Sequence, residues 1–127
     1  MSDLKNSENL NNLSQSEEKY KYLFENAPIG IVLCDINGNI EEINEFTLKL
    51  LGSPSKEVTK KINLLTFPLL VNSGISNSLK ESIEKKEMLV KEHFYISKWG
   101  RKFIMKLFIT PIFDENKNII KVQTLVQ

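Results

Sequence analysis

The start of the chain predicts a flexible segment followed by a helix. Polar side chains dominate residues 1–13, which we interpret as a flexible leader. Ser14 and Glu17 match a capping box, in which the serine hydroxyl accepts a hydrogen bond from the backbone N–H of the glutamate and the glutamate side chain accepts one from the backbone N–H of the serine. A flanking helix is therefore predicted over residues 14–27, and Pro28 ends it.

Two short runs after this helix predict a β-hairpin. Residues 29–35 are apolar and rich in β-branched side chains, which is typical of a buried strand. Residues 35–38 have the sequence Asp-Ile-Asn-Gly, which favours a tight turn because Asn and Gly tolerate a positive φ. A second strand follows, in which Ile40 and Ile43 flank two glutamates.

The next segment predicts short helices that begin at capping residues. Asn44 is well placed as the N-cap of a helix over residues 45–51, and Gly52 is a natural residue to end it. The pair Ser53-Pro54 predicts that a second short helix begins there, with proline in its first position.

A less regular segment separates these helices from a longer one. Residues 59–72 have no clean period, and we interpret them as irregular with short helical turns. In residues 73–86, by contrast, Ile75, Leu79 and Ile83 recur every four positions among polar side chains. This spacing predicts an amphipathic helix.

The last third of the chain predicts three strands, over residues 88–97, 102–114 and 119–127. The second of these has apolar side chains on both faces, and its outer face carries Ile104 and Phe108. We expect such a sheet to be covered on its second face by a helix, by another subunit or by the rest of a longer chain. The order of elements predicts an α+β fold: a five-stranded antiparallel sheet with short helices on one face and an N-terminal flanking helix.

Composition excludes several classes of function. Lys and Arg number 17 and Asp and Glu 16, so the net charge of +1 disfavours a nucleic-acid partner. One cysteine and one histidine exclude a disulfide framework and a metal centre of His or Cys ligands, so no metal site is predicted. No apolar run approaches a membrane span and the start is not a signal peptide, so we expect a cytoplasmic segment without membrane insertion.

Several segments, taken in order, resemble those of PAS domains. They are residues 24–32 (FENAPIGIV), 35–40 (DINGNI), 50–52 (LLG), 99–101 (WGR) and 110–115 (TPIFDE), together with Asn44 and the terminal strand. The resemblance covers residues 20–127 and implies a PAS-like domain over residues 28–127.

PAS domains are sensory and interaction modules of longer signalling proteins, sensor histidine kinases among them. The resemblance therefore implies a sensory or dimerisation module, a fragment of a sensor histidine kinase, that relays binding of a ligand or partner to an output domain after the chain. The alternative is a stand-alone domain that binds a small molecule without signalling output. The sequence offers no catalytic constellation, so we expect no enzymatic activity and assign no catalytic residue.

The resemblance also implies a cavity between the sheet and the short helices. Its predicted lining is Ile31, Leu33, Phe46, Leu50, Leu64, Ile75, Leu79, Phe94, Met105, Leu107 and Val122. Polar residues that would orient a ligand are Asn63, Thr66, Thr110 and Thr124. The same apolar list describes a simple hydrophobic core, so two interpretations stay open: a core alone, or a core that also holds a small apolar or amphipathic ligand.

The apolar outer face and the family resemblance also bear on partners and cofactors. We expect a homodimer formed through the N-terminal helix and the outer sheet face, with contacts from Tyr20, Leu23, Phe24, Ile104 and Phe108. No cofactor is predicted. A flavin-binding relative would carry its reactive cysteine on a helix, whereas Cys34 ends a strand and is interpreted as a small buried hydrophobe. Haem-binding relatives place the iron ligand near the long helix, whereas His93 lies in the following strand.

Overall fold

The computed structural model describes the backbone of residues 2–127 and the side chains of residues 12–127. Within this range the chain forms five helices and five strands. The helices are α1 (Ser2–Glu25), α2 (Glu45–Leu51), α3 (Lys56–Lys60), α4 (Pro68–Ser73) and α5 (Ile75–Lys85). The strands are β1 (Gly30–Asp35), β2 (Ile40–Ile43), β3 (Leu89–Ile96), β4 (Lys102–Phe113) and β5 (Ile119–Val126).

The strands form one antiparallel sheet in the order β2-β1-β5-β4-β3. The last strand, β5, therefore lies in the centre, paired with β1 on one side and with β4 on the other. Helices α2 to α5 all belong to the connection between β2 and β3 and pack on one face of the sheet, which we call the inner face. This is the predicted α+β architecture.

Helix α1 is longer than predicted. It begins at Ser2, so residues 2–13, which were predicted to be a flexible leader, are helical, and Ser14 lies inside the helix and does not cap it. No proline or glycine occurs between Ser2 and Glu25, so no residue in this segment interrupts helical backbone geometry. The division of the chain at residue 28 stays a prediction.

The two caps of α2 are confirmed. Asn44 is extended and its side chain accepts a hydrogen bond from the N–H of Thr47, while Gly52 has a φ of 74° that suits glycine. The start of α3 was misplaced, because Ser55 is its N-cap and Pro54 precedes the helix. The Ser53 hydroxyl instead donates to the carbonyl of Ser55 at 3.0 Å.

The core lies between the inner face of the sheet and the helices. Side chains alternate along each strand, so one set of alternate positions is buried under the helices. The most deeply buried apolar members are Cys34, Ile43, Leu79, Leu107, Ile109 and Val122.

Candidate functional site

A cavity of about 80 Å³ lies inside the core, between the inner face of the sheet and helices α2 to α5. Its apolar lining is Val32, Ile40, Ile43, Leu50, Leu51, Ile62, Leu64, Leu70, Ile75, Leu79, Phe103, Met105, Leu107 and Val126. Four polar residues complete the lining among the described part of the chain: Thr47, Thr59, Tyr95 and Thr124. The cavity is therefore a mostly apolar chamber with a few hydroxyl groups on its wall.

The threonine hydroxyls on this wall differ in their partners. Thr47 Oγ1 donates to Asn44 Oδ1 at 2.7 Å. Thr59 Oγ1 donates to the carbonyl of Ser55 at 3.0 Å. Thr124 is only 6% exposed, and its Oγ1 has no hydrogen-bond partner among the described residues. Buried polar groups are normally paired, so the Thr124 hydroxyl is an exception that calls for an explanation.

The described lining of the cavity carries no charge at ordinary pH. Tyr95 is the titratable residue among the described lining, and burial raises the pKa of its phenol to about 12. The nearby Cys34 is also neutral, because burial and the carboxylates of Asp35 and Glu41 raise the pKa of its thiol to about 12. Cys34 lies inside the core, as predicted.

Six of the residues predicted to line a cavity do so: Leu50, Leu64, Ile75, Leu79, Met105 and Leu107. Val122 is fully buried in the same core but does not reach the cavity wall. Sequence reasoning missed residues such as Val32 and Tyr95. Side chains alternate along a strand, so these residues could have been found if the facing of one residue in each strand had been known.

Three predicted lining residues lie on the opposite, outer face of the sheet. Ile31 and Leu33 alternate with the inward-facing Val32 and Cys34, so the prediction chose the wrong set of β1 positions. Phe94 fails for the same reason, because its neighbour Tyr95 points inward while Phe94 is 58% exposed.

Phe46 also lies outside the cavity. It is exposed in a surface groove beside Lys49, Arg101 and Lys102. The face of α2 that meets the cavity is formed by Thr47, one residue further along, with Leu50 and Leu51 one turn later.

Of the polar residues predicted to orient a ligand, only Thr124 reaches the cavity among the described lining. Asn63 instead holds a loop, because its Oδ1 accepts from the N–H groups of Leu65 and Thr66. The Thr66 side chain is exposed. Thr110 alternates with the inward-facing Ile109 and so lies on the outer face.

The outer face of the sheet carries an apolar row that crosses four strands. Ile31 is paired with Leu125, Leu125 with Phe108, and Phe108 with Val90. The predicted contact residue Ile104 lies further along the same face and is 74% exposed. The outer face thus presents contiguous apolar surface.

Helix α1 contributes both buried and exposed aromatic side chains. Tyr20 and Leu23 are exposed, as contact residues would be. Phe24, which was also predicted to contact a partner, is buried within the chain in a groove with Ile43 and Lys56, so it is not available to a partner. The prediction missed that the last turn of α1 packs against β2 and α3, where Lys56 also pairs with Glu25 at 2.6 Å.

Asn44 joins α1 to the strand and helix that flank the cavity. Its side-chain amide donates to the carbonyls of Phe24 and Ile29, each at 3.0 Å. Its Oδ1 accepts from the N–H of Ile31 at 2.9 Å and from both the N–H and the hydroxyl of Thr47. The side chain is fully buried and every polar atom on it is used, so α1, β1 and α2 meet at a fixed point.

His93 has a structural role that the sequence did not predict. Its Nδ1 lies 3.2 Å from the carbonyl oxygen of Ser73 and its Nε2 lies 2.9 Å from Ser78 Oγ. With the proton on Nδ1 the ring donates to the carbonyl and accepts from the hydroxyl, which ties β3 to α4 and α5. The described residues contain no cluster of His, Cys, Asp and Glu that would hold a metal ion.

Comparisons with known proteins agree with this geometry. A family model described as PAS domain matches residues 18–83. A domain of a sensory box sensor histidine kinase/response regulator from Geobacter sulfurreducens has a TM-score of 0.70 at 19% identity, with 91% of this chain and 96% of that chain covered. The PAS domain of an HTR-like protein from Haloarcula marismortui has a TM-score of 0.72 at 18% identity, with 95% and 98% covered.

A third structure is the light-state dimer of the fungal blue-light photoreceptor Vivid, with a TM-score of 0.65, 19% identity, and 80% of this chain and 78% of that chain covered. At these identities the structural similarity establishes the fold. No curated protein matches the sequence. None of the described helices is both long and apolar enough to cross a membrane.

Proposed function

The chain belongs to the PAS domain family, and from this premise we propose that it is the sensory module of a longer signal-transduction protein, a fragment of a sensor histidine kinase. In this proposal a small molecule enters the cavity, and its presence is relayed to an output domain joined after β5. The module acts in the cytoplasm and catalyses no reaction itself.

The observation that carries the proposal is the uncharged cavity at the centre of the domain. Interiors of proteins are close-packed, and voids larger than a water molecule are few in each domain. A ligand that occupies the cavity of about 80 Å³ would therefore contact both the sheet and the helices. The volume of the cavity also supports the expectation that the occupant is neither haem nor flavin, because both are far larger.

Two connections support a relay from this cavity. Thr124 lies on β5, the central strand, to which the proposed output domain would be joined. Thr47 lies on the cavity wall and is bonded to Asn44, whose amide holds the last turn of α1 through the Phe24 carbonyl. A ligand that shifts the wall therefore acts on β5 and on α1 through direct contacts.

A homodimer formed through the outer face completes the proposal. The apolar row across β1, β5, β4 and β3 supports it, because contiguous exposed apolar surface marks interaction sites. Tyr20 and Leu23 of α1 add further exposed surface. The Vivid structure, which has the same fold, is described as a dimer.

Native mass spectrometry of the purified chain tests ligand binding. With a small neutral alcohol or ketone added in excess, we expect a mass above that of the polypeptide, and we expect this excess to disappear when the same sample is denatured. A Leu64→Phe variant, which adds atoms to the half-buried cavity wall, is expected to carry less of the passenger.

The alternative, a stand-alone binding domain, predicts a different result: the chain binds a small molecule and remains strictly monomeric. A bare polypeptide mass, combined with a melting temperature that no small neutral alcohol or ketone raises, would contradict ligand sensing altogether.

A further inference from the structure

Among the described residues of the cavity wall, Thr124 carries a buried hydroxyl that has no hydrogen-bond partner. Thr124 is paired with Val32 of β1 and with Ile109 of β4, so it sits between two neighbouring strands with its side chain on the inner face. The residue is 94% buried, being 6% exposed, and Oγ1 has no hydrogen-bond partner in the described part of the chain. A buried hydroxyl without a partner is unfavourable, and a strand offers it no carbonyl of a preceding helical turn.

The other threonines of the wall show that this is a local property of Thr124. The hydroxyl of Thr47 is engaged by Asn44, and that of Thr59 by Ser55. A valine in place of Thr124 would have the same shape without the cost of the hydroxyl. The Thr124 hydroxyl is thus available to form a hydrogen bond with an occupant of the cavity.

We propose that Thr124 is the ligand anchor of the cavity, and that the ligand is a neutral molecule with one hydroxyl or carbonyl group and a short apolar body. This assignment rests on the proposed sensory function and names the chemical class of its ligand. The Thr124 hydroxyl donates to a carbonyl or exchanges a hydrogen bond with an alcohol, and the ligand's carbon atoms contact the aliphatic wall.

The chemistry of the wall sets the charge of the ligand. None of the described lining residues is charged at neutral pH, since Tyr95 keeps its proton. An ionised carboxylate or amine would lose its hydration without gaining a counter-ion, which is strongly unfavourable. The ligand is therefore uncharged.

The volume sets its size. An engineered cavity of roughly 150 Å³ binds benzene, which has six carbon atoms. By proportion, the cavity of about 80 Å³ holds about three or four non-hydrogen atoms without movement of its walls. Such a small ligand binds no tighter than roughly tens of micromolar, because the free energy per atom is limited.

A single water molecule is a poorer occupant. A buried water needs two to four polar partners, and the hydroxyl hydrogens of Thr47 and Thr59 are already donated to protein acceptors. Among the described polar side chains of the wall, this leaves at most the hydroxyls of Thr124 and Tyr95 to donate to a water, the lower end of that range. An occupant that bonds Thr124 at one end and contacts apolar side chains at the other satisfies both the Thr124 hydroxyl and the aliphatic wall.

The test compares a polar and an apolar probe in the wild type and in Thr124→Val. The polar probe is 2-propanol, which has four non-hydrogen atoms and one hydroxyl. The apolar probe is xenon, a single atom that forms no hydrogen bond. The binding of both is titrated by NMR chemical shifts. We expect Thr124→Val to weaken 2-propanol binding by roughly fivefold to tenfold, as for one lost hydrogen bond, while xenon binding is kept or improved.

Thr47→Val is the matched control, because it removes a hydroxyl from the same wall that already has a protein partner. Without ligand, Thr124→Val is expected to raise the melting temperature by about 3 °C, because an unpaired hydroxyl is removed. Thr47→Val is expected to lower it, because Asn44 loses a donor.

The outcomes separate this inference from the proposed function. Suppose that both probes bind, but that the ratio of their dissociation constants in Thr124→Val differs from the wild-type ratio by less than about twofold. In that case the anchor assignment is wrong and the sensory cavity stands. If neither probe binds the wild type, the cavity accepts no small molecule and the proposed function fails with it.

Discussion

At the scale of the residue, Asn44 is the side chain on which the geometry around the cavity depends most. Its amide donates to two carbonyls and its oxygen accepts three hydrogen bonds, all within a fully buried environment. No other amino acid presents one acceptor and two donors in the same small planar group except Gln, which is longer. The position is therefore specific for asparagine.

We predict that Asn44→Ala lowers the free energy of unfolding by about 3 kcal/mol, because the helix cap is lost and several buried backbone groups lose their partner. Urea denaturation measures the change. The matched control is Asn77→Ala, on the exposed surface of α5, which we expect to be neutral or slightly stabilising because alanine favours helix. Equal effects of the two substitutions would contradict the role given to Asn44.

The sequence was informative about single residues where local chemistry decides their conformation. Asn44 and Gly52 were placed correctly because a cap is determined by a few neighbouring residues. Ile31, Leu33 and Phe94 were assigned to the wrong face because the runs around them are apolar at consecutive positions. Only pairing with β5 and β4 decides which set of positions faces the helices.

At the scale of the element, the outer face of the sheet carries apolar side chains from four strands that stay partly or fully exposed. The contiguous row from Ile31 to Val90 crosses strands that are distant in sequence, so it appears only once the strand order is known. For helix α1, by contrast, the prediction rested on a local pattern. Its start was misplaced because the capping box at Ser14 is a local pattern that a longer helix can contain without ending there.

The proposed dimer predicts opposite outcomes for two isoleucine substitutions. Ile104→Lys places a charge in the outer face, and a symmetric dimer contains the substitution twice. We therefore expect the dissociation constant of the dimer to rise by roughly tenfold or more. Ile120→Lys changes an exposed isoleucine that alternates with the outward-facing Lys121, and we expect little effect. Sedimentation equilibrium gives both dissociation constants. A wild type that stays monomeric at high concentration, or equal effects of the two changes, would argue against this interface.

At the scale of the whole molecule, the cavity, Asn44 and β5 form one connected unit. The cavity wall includes Thr124 of the central strand and Thr47 of the helix that Asn44 caps. The outer face is the reverse side of the same strands, so a change in their packing reaches both surfaces. Ligand binding and dimer formation should therefore be thermodynamically linked, and each should alter the affinity of the other by the same factor.

This linkage could be inferred only in part from the sequence. The order of elements predicted the sheet and the helices, because these follow from patterns along the chain. A cavity was implied only by the family resemblance, and a simple hydrophobic core remained an open alternative. The unpaired hydroxyl of Thr124 and the contacts of Asn44 with Phe24 could not be predicted, because they depend on which distant residues fold against them.

The measurement that tests the central claim most directly is the dimer dissociation constant with and without a cavity ligand. Sedimentation equilibrium is run on the wild type in buffer and in 2-propanol, with the cavity-filled Leu64→Phe variant as the control for effects of the solvent. We expect the constant of the wild type to change by about fivefold or more, as is typical for coupled sites, and that of the variant to change much less. An identical wild-type constant in both solutions, with 2-propanol bound in the cavity, would contradict the sensory relay.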